Sequence, residues 1–228
     1  MLIKICGTTS EDDALLAVAM GANAVGFIFA PSPRQISPQR VADIVKRLPR
    51  EEIMTVGVFR DDAPRRVVEV VYAAGLQAAQ LHGRETPDET LWVRQRVPMV
   101  IKAFPAGDPR VARAEEYGAD AILLDAPDPG SGEVFDWALA GDLPEGQRLV
   151  IAGGLHAGNV AAAISKVKPW GVDVASGVEA SPGVKDPMKV KAFVEAAKRA
   201  ATELTEAAAT LSQGSLEGPY DWAEDEQY

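Results

Sequence analysis

Apolar and polar positions alternate from the start of the chain. Leu2, Lys4 and Cys6 fall on one side of an extended segment, and Ile3 and Ile5 fall on the other. The run stops at Gly7. Thr8, Thr9 and Ser10 then supply the turn and helix-capping chemistry that should precede a helical pattern over Glu11–Met20. The same alternation of elements recurs along the chain. Apolar runs at Ala24–Phe29, Ile53–Phe59, Ala78–His82, Val100–Phe104, Ala121–Asp125, Leu149–Ala152 and Gly171–Ala175 predict seven further strands. Helices are expected from Ser37-Pro38 to about Leu48, over Ala63–Ala74 closed by Gly75, and over Pro87–Arg96. Others follow near Asp108–Tyr117, over Val160–Val167 and over the closing Pro187–Arg199, with a long loop at Ala126–Phe135.

Eight strands with helical crossovers predict an α/β fold, a single-domain (β/α)8 barrel. The strands are apolar almost throughout, as parallel strands covered by helices on one face and a barrel core on the other should be. The structural rival is an open doubly wound sheet. It would place a glycine-rich dinucleotide turn after the first strand, and Cys6-Gly7-Thr8-Thr9 is not one. No internal repeat or linker breaks the pattern. The barrel is expected over residues 1–200, followed by a helical continuation, Ala200–Leu211, and a polar acidic tail from Ser212 onward.

Composition narrows the function classes. At 228 residues and 47% hydrophobic, the chain can bury one large core. No apolar run reaches the length of a membrane span, and a single cysteine excludes an internal disulfide, so a cytoplasmic location is expected. The net charge is −10, and residues 201–228 hold seven acidic side chains with no Lys or Arg, which leaves −3 for the body. With no basic stripe, nucleic acid is not an expected partner, and neither is a membrane. Gly153-Gly154 and Ser176-Gly177 suit a phosphate, so a small phosphorylated molecule is the expected partner, bound by a monomer or a homodimer.

Candidate chemistry collects at the C-terminal ends of the expected strands, where the loops of such a barrel form one mouth. Cys6 ends the first strand facing inward, and a thiol near positive charge there can act as a base. Taken alone, such a Cys is more often a small buried hydrophobe. Asp125 ends the sixth strand, across the barrel, where an acid would oppose that base; the plainer reading is a turn cap. Gly153-Gly154 and Ser176-Gly177, in the seventh and eighth loops, suit a phosphate held by backbone N–H groups. Arg34, in a loop stiffened by Pro31 and Pro33, is placed to reach an anionic group. His82 is at most supportive. Lys4 and Lys102 read as inward lysines paired with carboxylates such as Asp173. No metal or redox cofactor is implied, since His82 and His156 do not make a metal site.

In order along the chain stand Lys4-Ile5-Cys6-Gly7, Gly26-Phe27-Ile28-Phe29 with Ser32-Pro33-Arg34, Val56-Gly57-Val58-Phe59, and Gln80-Leu81-His82-Gly83. They are followed by Ile101-Lys102-Ala103-Phe104, Leu124-Asp125-Ala126, Gly130-Ser131-Gly132 with Phe135-Asp136-Trp137, Ala152-Gly153-Gly154-Leu155, and Gly171-Val172-Asp173-Val174 with Ser176-Gly177-Val178-Glu179. Together these motifs resemble the phosphoribosylanthranilate isomerase family of tryptophan biosynthesis, over Met1 to about Ala200. Two departures are visible: Ala175 stands where the family commonly has Ser, and Pro129-Gly130-Ser131-Gly132 stands where Gly-Gly-Thr-Gly is usual. The resemblance implies an Amadori rearrangement, with Asp125 as general acid and Cys6 as general base. It further implies Arg34 on the anthranilate carboxylate, His82 and Asp173 lining the sugar site, and Gly154, Ser176 and Gly177 holding the phosphate. Two other readings stay open. One is the histidine-pathway phosphoribosyl aminoimidazole isomerase, which would want a second glycine-rich phosphate site and an Asp at the position of Cys6. The other is a non-catalytic phosphate-binding barrel.

Overall fold

A computed structural model describes residues 1–126 and 146–214. Eight parallel strands close into a barrel in sequence order: β1 (Leu2–Ile5), β2 (Ala24–Ile28), β3 (Met54–Phe59), β4 (Ala78–Leu81), β5 (Val100–Pro105), β6 (Ala121–Asp125), β7 (Leu149–Ile151) and β8 (Gly171–Val174). Closure comes from β1 pairing with β8, with Lys4 opposite Asp173 and Ile5 opposite Val174. The helices are α1 (Glu11–Met20), α2 (Pro38–Val45), α3 (Pro64–Ala74), α4 (Pro87–Arg94), α5 (Val160–Val167) and α6 (Pro187–Gly214). This is the (β/α)8 barrel expected from the alternation of patterns. Among the described residues, no helix is long and apolar enough to cross a membrane.

Local chemistry explains where the helices begin and end. The Ser10 hydroxyl accepts the Asp13 N–H at 3.1 Å, and Glu11, Asp12 and Asp13 face the positive end of the α1 dipole. Thr86 and Glu89 form a reciprocal capping box at the start of α4. Between Met188 and Gln213 there is no Gly or Pro to stop α6, so the closing helix and its expected continuation are one element. The segment before β6, Pro109–Tyr117, is a 3₁₀ segment kinked at Arg113.

Strand alternation sorts the core into two layers. Leu2, Ala24, Val56, Ala78, Ile101, Ala121, Leu123 and Val150 fill the barrel interior. Ile3, Ile5, Val25, Phe27, Ala79, Ile151 and Val172 point outward and meet the helices. The inward set, followed up each strand, leads to the mouth: Lys4 to Cys6, Gln80 to His82, Leu123 to Asp125, and Gly171 to Asp173.

Pattern reading does not anticipate one element. After β8, a 3₁₀ turn, Ser176–Val178, leads into a small antiparallel hairpin, β9 (Glu179–Ser181) and β10 (Val184–Lys185). Strands of three and two residues are too short for alternation to register. The motif residues 130–132 and 135–137, most of the long loop and the tail beyond 214 lie outside the described residues.

Candidate active site

The mouth of the barrel holds a cavity of about 400 Å³. Seven of the eight residues that the resemblance assigns to the site line it: Cys6, Arg34, His82, Asp125, Gly154, Asp173 and Ser176. They come from the residues directly after β1 and β4, from β6 and β8, and from the loops after β2, β7 and β8, so only the closed barrel brings them together.

Cys6 is almost fully buried. One pleat below it on the same strand, the fully buried Lys4 ammonium donates to Asp173 Oδ2 at 2.9 Å. Burial works against the Lys4 charge, yet Asp173 and Cys6 beside it hold the ammonium well above the usual lysine range. Burial pushes the Cys6 thiol up from its ordinary value and Asp173 pushes the same way, while Lys4 and Lys185 act against them. The thiol therefore rests largely protonated, contrary to a readily ionised Cys. Room for this cluster depends on Gly26 of β2. A Cβ there would fall 2.7 Å from Cys6 Sγ and 3.0 Å from Lys4 Nζ.

Across the mouth, Asp125 Oδ1 accepts the Ala126 N–H at 2.8 Å, and its Oδ2 lies 3.3 Å from His82 Nε2. Gln80 Nε2 donates to His82 Nδ1 at 2.9 Å, which puts the proton of a neutral His82 on Nε2, toward Asp125. Among the described residues, Gln80 Oε1, His82 Nε2 and Asp173 Oδ1 are buried polar atoms with no hydrogen-bond partner. All three belong to side chains lining the cavity, which suits a hydroxyl-rich ligand.

Arg34 stands at the rim, its Nε and Nη2 each donating to a Glu179 carboxylate oxygen at 2.8 Å. The expectation of a mouth arginine holds, but the guanidinium fork is held by a carboxylate of the chain itself, leaving Nη1 for a ligand. At the seventh loop, Asn159 Nδ2 donates to the Gly154 carbonyl at 2.9 Å and Asn159 Oδ1 accepts the His156 N–H at 2.8 Å, so His156 belongs to loop structure. Of the residues that the resemblance assigns to the site, Gly177 alone does not line the cavity. A Cβ there would collide with the Leu155 carbonyl oxygen, so this glycine lets the eighth loop lie against the seventh.

Lys102 departs from expectation. On β5 it shares the outward face with Phe104, and its ammonium donates to Glu85 Oε2 at 2.7 Å, Gly83 O at 2.9 Å and Leu81 O at 3.3 Å. It braces the loop carrying His82 from outside the barrel, while Lys4 alone of the two pairs with Asp173. Sequence reading also missed roles for Gln80, Glu179 and Lys185. Gln80 was visible as the inward residue two before His82; Glu179 and Lys185 sit in the hairpin that leaves no pattern.

A closed parallel barrel with a thiol, a carboxyl and an imidazole around one ligand-sized cavity at its C-terminal mouth defines a (β/α)8-barrel enzyme. The sequence model of the N-(5'phosphoribosyl)anthranilate (PRA) isomerase family matches residues 3–196. An N-(5'-phosphoribosyl)anthranilate isomerase of Desulforudis audaxviator is 46% identical over 206 residues, 87% of this chain and 98% of that protein. The crystal structure of the phosphoribosyl anthranilate isomerase from Thermus thermophilus superposes with a TM-score of 0.81 at 42% identity, over 86% of this chain and 98% of that one. A PRA isomerase solved with reduced 1-(o-carboxyphenylamino)-1-deoxyribulose 5-phosphate is 40% identical, with a TM-score of 0.77 over 87% of this chain and 98% of that one. The chain belongs to the PRA isomerase family, enzymes of tryptophan biosynthesis.

Proposed function

We propose that this chain converts N-(5-phosphoribosyl)anthranilate to 1-(2-carboxyphenylamino)-1-deoxyribulose 5-phosphate, with Asp125 as general acid and Cys6 as general base. The observation that carries the assignment is that both side chains line one cavity, from β1 and β6, across the barrel. In the first step the Asp125 carboxyl gives its proton to the furanose ring oxygen. The C1–O bond breaks as the anilino nitrogen lone pair forms the C1=N bond of a Schiff base. Cys6, ionised by loss of its thiol proton to solvent, then takes the proton from C2, and the C–H electrons form an enolamine as the C1=N electrons return to nitrogen. Movement of a proton from O2 to C1 gives the ketone.

The surroundings support these roles. Asp173 Oδ1, Gln80 Oε1 and His82 Nε2 offer partners to the sugar hydroxyls. Gly154 and Ser176 border the side that suits the phosphate, with Gly177 permitting their approach. Arg34 Nη1 is the nearest fit for the anthranilate carboxylate. Among the described residues, the wall from β2 and β3 (Ala30, Pro31, Ser32, Pro33, Arg34 and Arg60) contains no glycine. That disfavours the second glycine-rich phosphate site a two-phosphate substrate would want. The barrel at 1–200 is proposed as the working unit, acting on a small phosphorylated substrate.

The test is turnover of freshly made phosphoribosyl anthranilate, followed by loss of its fluorescence, beside the phosphoribosyl aminoimidazole substrate. Turnover of the first alone is expected. Turnover of only the second overturns the substrate assignment, and binding without turnover of either overturns the enzymatic one.

A further inference from the structure

The hairpin after β8 carries a buried lysine that the mechanism has not used. Lys185 Nζ donates to the Cys6 carbonyl at 2.6 Å, to Glu179 Oε1 at 3.0 Å and to the Ala175 carbonyl at 3.2 Å. Glu179, in turn, accepts both Arg34 bonds. A single buried network therefore ties the end of β1, the loop after β2, the end of β8 and the hairpin. Burying a lysine of this size is costly unless its charge is answered.

The charges facing Cys6 do not cancel. Lys4 from β1, Lys185 from β10 and Arg34 from the loop after β2 are cations; Asp173 from β8 and Glu179 from β9 are the carboxylates. The neighbouring charges lie further out: Asp13 of α1 accepts the Lys185 backbone N–H at 3.4 Å, and the exposed Lys189 of α6 donates to the Glu179 carbonyl at 2.7 Å. Three buried or half-buried cations against two carboxylates leave one positive charge over. With the thiol neutral at rest that charge stays unanswered, and burial pushes the Lys185 ammonium down while Glu179 and Cys6 hold it up, so ionisation of Cys6 is what answers it.

We infer that Lys185 is a positioning residue for the base: it anchors the Cys6 carbonyl and provides the positive charge against which the thiolate forms. Lys4 offsets Asp173, Arg34 offsets Glu179, and Lys185, shared between Glu179 and the end of β1, carries the excess. The direction of its influence on the thiol agrees, since Lys185 acts against the upward push of burial and Asp173. The inference rests on the reading of Cys6 as base.

Cys6 is the chain's single cysteine, so alkylation by iodoacetamide across a pH series, read by mass spectrometry on the full-length protein, titrates this thiol alone. Lys185→Met should raise the midpoint by about one pH unit or more, the size expected for removal of one close charge from a protein interior. Lys185→Arg should stay near wild type, and Glu179→Gln, which removes a carboxylate, should lower the midpoint. Turnover of Lys185→Met should fall about tenfold per unit of midpoint shift, with KM changing less. An unchanged midpoint in folded Lys185→Met overturns the inference. Should that variant not fold, an unchanged or raised midpoint in Glu179→Gln overturns it instead. A midpoint that moves while turnover does not follow supports the role of Lys185 but refutes Cys6 as base.

Discussion

Lys4 and Asp173 are register partners on the two strands that close the barrel, and their side chains meet at 2.9 Å one pleat beneath Cys6. The pair fixes the floor of the mouth and keeps one Asp173 oxygen turned to the cavity. Removing the lysine would strand a buried carboxylate. Lys4→Met should therefore lose about 3–5 kcal/mol of stability in denaturant unfolding. Lys4→Met combined with Asp173→Asn should recover most of that loss. If the double variant is no more stable than the single one, the pair is not the source of the effect.

The contribution of Cys6 to stability should decline on the alkaline side. A thiol pushed up in the folded protein is fully favourable only below its unfolded value, about 8.5. Above that pH the unfolded chain releases its proton first, so stability falls until the folded thiol also ionises. Lys102 and Lys185, whose charges burial pushes down, act in the opposite sense, so the test is the difference: in thermal or urea unfolding the wild type should lose stability relative to Cys6→Ala over this window. Equal slopes would mean that Cys6 is not raised.

Lys102 and Glu85 form a buried pair at 2.7 Å outside the barrel wall, and the same ammonium holds the carbonyls on either side of His82. Lys102→Met leaves Glu85 without its cation and should cost about 3–5 kcal/mol. Turnover should fall as well, because the loop that aims His82 loses its brace. A folded variant with unchanged kcat and stability would show the pair to be dispensable.

Gly177→Ala forces a methyl to within contact of the Leu155 carbonyl, so the seventh and eighth loops must part. Inhibition by inorganic phosphate should weaken and KM should rise about tenfold, with a smaller change in kcat. Unaltered phosphate inhibition would place the phosphate elsewhere.

The barrel was legible because period-two apolar runs and capped helical segments alternate along the chain, and because a closed barrel is the architecture that buries both strand faces. Strand parity also placed Cys6 correctly, since it shares the inward face with Leu2 and Lys4. The same parity turns Lys102 outward, since it lies one residue beyond Ile101, which faces in, and an unbroken apolar run does not show which face a residue takes. The chemistry of Glu179 and Lys185 was hidden for a different reason. They sit on a hairpin of three- and two-residue strands, and their meeting with Arg34 and Cys6 bridges 145 and 179 positions in sequence. No local pattern records such a contact. The upward push on the Cys6 thiol depends on burial and on Asp173, both products of barrel closure.

The most direct measurement is a single-turnover stopped-flow experiment with phosphoribosyl anthranilate on wild type, Cys6→Ala and Asp125→Asn, monitored by substrate fluorescence. General acid and base groups contribute on the order of 10²–10⁴-fold each. Both variants should bind substrate with affinity close to wild type and convert it slower by that range. A folded Cys6→Ala or Asp125→Asn that turns over within a few-fold of wild type would contradict the pairing of base and acid across the mouth.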